Sequence, residues 1–171
     1  DFINFGAGMS GFGITGPKPC LNMYRINPEG KLFKKTQVPL QSFPFCHDFA
    51  MTDRHAIFFV GSIVFGNMLP FLLGSKSISD QIKFDPTIPL KVIVVDLDNF
   101  EIVKTFESDP GAMIHFGNSF QEGDEIIVDG MFADNFEANN TLNDVFNPDN
   151  RFGGGQYLRY RLNMVTGTLT S

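Results

Sequence analysis

Two imidazoles at matched positions of a repeat are a natural pair of ligands for one metal ion. His47 and His115 lie 68 residues apart. The segment from Leu21 to Asn27 is echoed from Leu90 to Asp96 and again from Leu158 to Met164, with starts 69 and 68 residues apart. Each histidine therefore follows the start of its repeat by 26 or 25 residues. A repeated fold brings such positions to a common axis, where two neutral imidazoles make half of an all-nitrogen metal site. The remaining histidine, His55, sits beyond a turn and has no counterpart in the second unit, where Gly123 or Asp124 falls. It reads as structural or exposed.

Other reactive groups carry less. Cys20 and Cys46 match no zinc spacing and read as free thiols in a reducing compartment. On a strand Cys46 and His47 would point to opposite faces, which argues against their sharing an ion. The same alternation counts against a phosphohydrolase built on the His47-Asp48 pair, a chemistry that needs helices and further His/Asp ligands. Gly153-Gly154-Gly155 has no Lys-Ser/Thr after it and reads as a flexible connector, not a phosphate cradle.

The elements that must position the histidines are short strands. Of 171 residues, 20 are Phe, 17 Gly and 10 Pro, and the apolar runs are broken by Gly, Asn and Asp turns. The spacing predicts strands over 21–27, 31–38, 43–52 and 55–64, and in the second unit over 90–96, 101–106, 112–120 and 125–129. Units of 21–61 and 90–130, each of four antiparallel strands, and an incomplete 158–171 follow the plan of propeller blades. The class is all-β: a β-propeller fragment of about two and a half blades, with 1–171 part of a single domain. Closure takes roughly four to eight blades, so the rest of the propeller is an expected partner. No targeting signal can be read after Asp1, and the chain is expected to begin within a longer protein.

Two connectors lengthen the repeat. Residues 62–89 are apolar; 131–157 are polar and acidic, with Asp134, Glu137, Asn139, Asn140, Asp144 and Asp149. No charged residue occurs from Ala56 to Leu73, but Gly61, Gly66, Asn67 and Pro70 interrupt this stretch and argue against a spanning helix. Phe65, Met68, Leu69, Phe71 and Leu72 form either a buried loop or an exposed patch that dips into a bilayer. Net charge is −6 with no basic run, which argues against a nucleic-acid binder.

Two blocks of sequence carry a resemblance. One is Phe45-Cys46-His47-Asp48-Phe49-Ala50-Met51-Thr52 followed by Asp53 and the Phe58-Phe59 strand. The other is His115-Phe116-Gly117-Asn118-Ser119-Phe120-Gln121-Glu122-Gly123-Asp124-Glu125, ending in Val128-Asp129. With Val38-Pro39-Leu40 and Tyr160-Arg161-Leu162-Asn163, they resemble the carotenoid cleavage oxygenases, the superfamily of the retinal-pigment-epithelium isomerase. The resemblance implies a seven-bladed propeller holding Fe(II) by four axial histidines, with His47 the second ligand, His115 the third, and the others outside this chain. It implies an apolar tunnel, with Phe49, Ile114 and Phe116 on its wall, that delivers a polyene to the metal. Dioxygen would then convert one C=C bond of a carotenoid or apocarotenoid into two carbonyl products. Two histidines cannot complete that site, so the chain alone is expected to be inactive. A cytoplasmic or plastid-like compartment, with peripheral membrane contact, follows from the same reading. The competing class is a non-catalytic propeller segment acting as a binding scaffold.

Overall fold

Alternating apolar side chains commit this chain to antiparallel sheet. The computed structural model describes residues 1–13, 16–139, 144, 146–149 and 154–171. A first sheet has strands β1 (Phe2–Gly13), β2 (Gly16–Ile26) and β3 (Leu32–Pro39), in that order. A second is ordered β4 (Ala50–Met51), β5 (His55–Val60), β8 (Leu90–Asp96) and β9 (Ile102–Ser108). A third runs β10 (Ala112–Glu122), β11 (Glu125–Ala133), β12 (Gln156–Asn163) and β13 (Leu169–Thr170). Between β5 and β8, the connector folds into a small β6 (Ile63–Phe65) and β7 (Ile82–Phe84) pair around a single helical turn, α1 (Leu69–Leu72). Successive four-stranded meanders stacked face to face are propeller blades; the fold is a segment of a β-propeller.

The second sheet is buried on both faces, and strand alternation explains how. On β5, Ala56, Phe58 and Val60 turn towards the first sheet, joined by Ile93 and Val95 of β8; there they meet Leu21, Met23 and Val38. Ile57 and Phe59, with Val92 and Val94, turn the other way and meet Met113, Ile126, Val128, Tyr160 and Leu162 of the third sheet. The period of two sorts one apolar run into two seams. Phe58 and Phe59, side by side in sequence, anchor one seam each. Phe58 packs with Phe5 and Phe49 (centroids 5.1 and 5.4 Å), and Phe59 with Phe116 and Tyr160 (5.3 and 5.2 Å).

Three expectations need correction. The sheets are phased differently from the sequence units: strands 21–27 and 31–38 belong to the first sheet, whereas 55–60 pairs with 90–96 in the second. The period gives a repeat length but not the point at which hydrogen bonding passes to a new sheet. The expected strand over 43–52 shrinks to Ala50–Met51. Pro44 offers no amide donor in that stretch, and three phenylalanines there pack as a loop. The expected strand 55–64 breaks at Gly61 and Ser62, whose φ values are 150° and 36°. A Cβ on Gly61 would collide with the Pro89 carbonyl. Ser62 is fully buried, and its hydroxyl donates to Ile88 O at 2.8 Å and accepts from Gly111 N at 2.9 Å, tying the second sheet to the third. His55 is buried, so it is structural rather than exposed. Asn140 and Gly153 lie outside the described residues.

Candidate metal centre

His47 and His115 meet. Their ring centroids are 5.0 Å apart with planes inclined at 54°. Two imidazoles bound side by side to one ion, at about 2.1 Å per nitrogen, have centroids roughly 4.5–5 Å apart, so the pair fits a shared ion. Among the described residues no group of three or more His, Cys, Asp or Glu could hold a metal; the pair is at most part of a donor set. Both side chains are exposed in this chain.

The two histidines are held differently. His115 lies on β10 between two shifts of register against β11: Met113 pairs with Phe132 and His115 with Met131, then Phe116 with Gly130 and Ser119 with Val128. Each shift gives β10 one residue more than its partner. Such bulges bend a strand and re-aim its side chains, and here they bracket the ligand candidate. Gly130 permits this curvature, because a Cβ there would strike the Met113 side chain and lie 2.9 Å from His115 O. His47 sits on the irregular segment before β4. Its neighbours fix it through aromatic packing: Phe49 stands edge-on to Phe5 at 5.4 Å, and Phe45 meets Phe65 and Phe136 at 6.3 and 5.5 Å.

A cavity of about 630 Å³ opens beside the two rings, lined by Phe43, Phe45, Phe65, Phe136 and Ile114 as well as both histidines. That size suits a small organic ligand, and the wall is mostly hydrocarbon. Of the expected tunnel residues, Ile114 is on this wall. Phe49 and Phe116 pack instead against the two inter-sheet cores, because the loop at 43–49 and the bulges in β10 change which residues face inward. The phenylalanines that form the wall come from three distant stretches of chain, so no spacing announced them. Cys46 also lines the cavity, contrary to the expected opposite facing, since this segment is not a strand. Burial pushes its thiol up to about 12, so it stays protonated and is a poor ligand or nucleophile at neutral pH.

Of the expected apolar patch, Phe65 faces the cavity. Leu69, Phe71 and Leu72 are exposed on α1, together with Leu73, and Met68 is half-buried before it. No helix among the described residues is long and apolar enough to cross a membrane. The two connectors touch: Ser79 Oγ donates to Asn139 Oδ1 at 2.9 Å, and Asn139 Nδ2 donates to Ser79 O at 3.1 Å.

A propeller segment with converging imidazoles beside an apolar cavity defines a class that comparison narrows. The family model of retinal pigment epithelial membrane protein matches residues 1–171, and the chain belongs to that family. It is similar to apocarotenoid-15,15'-oxygenase of Synechocystis sp., with 30% identity over 151 residues, covering 87% of this chain and 30% of that protein. A mutant of the Synechocystis apocarotenoid oxygenase superimposes with a TM-score of 0.77 at 25% identity, covering 98% of this chain and 34% of that one. The cobalt-substituted Synechocystis enzyme gives 0.73 at 25% identity, covering 98% and 36%. The chain thus spans about a third of the length of the relatives it matches.

Proposed function

We propose that this chain is the part of a carotenoid-cleaving dioxygenase that contributes two of its iron ligands, His47 and His115. The observation that carries the reading is the 5.0 Å approach of two repeat-equivalent imidazoles at the wall of an apolar cavity. Further support comes from the family membership and from the similarity to an apocarotenoid oxygenase. Ligation through nitrogen requires both rings to be neutral at the bound atom, so neither serves as a general base. Bound Fe(II) would supply the activation of O2, whose two oxygen atoms end in the two carbonyl groups formed from one C=C bond. The chain's own residues hold the substrate. Phe43, Phe45, Phe65 and Phe136 give a polyene a water-poor wall, and Ile114, next to His115, limits its approach to the ligand side.

The remaining ligands would come from other blades, so this chain alone would be inactive. The exposed Leu69, Phe71, Leu72 and Leu73 would rest in the outer layer of a membrane that holds the lipid-soluble substrate, in a reducing compartment such as cytoplasm or plastid. Incubation of the full-length protein with an apocarotenal under air tests the reading. Expected are two shorter carbonyl products, absent without O2 and absent in His115→Ala. A folded, metal-loaded protein that cleaves no member of a carotenoid and apocarotenoid panel would favour the scaffold reading.

A further inference from the structure

The two histidine-bearing segments are joined by one side chain that the site description above does not use. Ser119 Oγ donates to Met51 O at 2.6 Å, and Met51 N donates to the same Oγ at 3.0 Å. The two residues are 68 apart, the repeat length, and each lies four residues after its histidine. Met51 belongs to β4, the two-residue strand at the inner edge of the second sheet, where β5 pairs on one side only. An edge strand presents an unpaired N–H and C=O on its free side. The Ser119 hydroxyl answers both, because it can donate once and accept at the same time.

We propose that Ser119 is a positioning residue which sets the separation of His47 and His115 by fastening the backbone of one segment to the other. This rests on the reading of the pair as metal ligands. His115 is fixed by the β10–β11 ladder on either side of its bulges. His47 has no ladder of its own, and among the described residues the two hydrogen bonds at Met51 are the direct polar link from its segment to β10. Without the hydroxyl, β4 keeps only its pairing with β5, and its distance from β10 is no longer fixed by a bond. The ligand set then gains freedom that ion binding must remove.

The test is cobalt(II) titration of the full-length apoprotein, read by visible absorption, for wild type, Ser119→Ala, Ser119→Thr and Ser119→Val. Groups that orient a metal's ligands commonly contribute about 10–100-fold to its affinity; Ser119 orients one through the Met51 backbone rather than through the imidazole. Ser119→Ala is expected to lose affinity in that range with an altered absorption band, while its melting temperature stays near that of wild type. Ser119→Thr, which keeps the hydroxyl, should bind as wild type does. Ser119→Val, the same shape without it, should behave as Ser119→Ala. If Ser119→Ala fails to fold, the Thr and Val pair decides. Equal affinities and spectra for Thr and Val would overturn the proposal. If wild type binds one cobalt and His47→Ala does not, yet Ser119→Ala matches wild type, the positioning role falls and the ligand reading stands. A folded wild-type protein that binds no cobalt would overturn both.

Discussion

The segment holding His47 and the strand holding His115 occupy the same place in the repeat and are built in opposite ways. β10 runs eleven residues, from Ala112 to Glu122, and is pinned along its length to β11. The segment of His47 is a loop that becomes strand only at Ala50–Met51. One ligand candidate is aimed by a double bulge in a ladder, the other by aromatic packing and a borrowed hydroxyl. Equivalent positions in a repeat therefore need equivalent geometry only at the functional atom. The backbone behind each can differ, provided some contact restores the constraint that the missing ladder would have given.

That contrast can be broken from either side. The largest effects should come from the paired anchors of the two seams. Phe58→Ala and Phe59→Ala each remove a buried ring from one seam, and each should cost about 3–5 kcal/mol in denaturant unfolding. The two differ in what else they disturb. Phe58 stacks on Phe49, two residues after His47, whereas Phe59 contacts Phe116, next to His115. Loss of Phe58 should loosen cobalt binding more than loss of Phe59, since the ladder still holds His115. Equal loss of cobalt affinity in the two variants would erase the distinction drawn here.

Gly130→Val attacks the ladder directly. The added side chain meets Met113 and the His115 carbonyl, so overpacking should cost about 1–3 kcal/mol and displace His115. Thermal unfolding gives the first effect, and the cobalt absorption band reports the second. An unchanged band would mean that the bulges of β10 do not aim the ligand.

A smaller effect should appear with acid. His55 is buried, its Nδ1 has no hydrogen-bond partner, and burial holds its pKa below the ordinary 6.5, against the pull of Asp96. The unfolded chain takes up the proton first as pH falls. Stability is then lost below about pH 6.5, and the loss stops growing once pH is under the folded value. His55→Phe should flatten this part of the curve of unfolding free energy against pH. A curve that keeps the wild-type slope between pH 7 and 5 would assign the acid sensitivity to other groups.

The approach of His47 and His115 is legible in the repeat, and the reasons the rest is not are physical. The 68-residue interval between the histidines was enough to bring them together, because a period shared by successive sheets is geometric information. β8 runs over the expected 90–96, since Leu90 to Val95 is apolar but for Lys91 and ends at an Asp-rich turn. β1 is not legible as a strand because glycines at 6, 8, 11 and 13 dilute its alternation; its pairing with β2 supplies what local propensity lacks. The loop at 43–49 looked like strand because its aromatic residues suit one, but Pro44 and the demands of a three-dimensional cavity decide otherwise. The cavity wall itself, from Phe43, Phe45, Phe65 and Phe136, has no linear signature at all.

Metal stoichiometry of the full-length protein, compared among wild type, His47→Ala and His115→Ala, tests the central claim most directly. The account predicts one iron per wild-type molecule and substoichiometric iron in each variant, with all three folded. Full iron content in both variants, or an iron-free wild type after reconstitution, would contradict it.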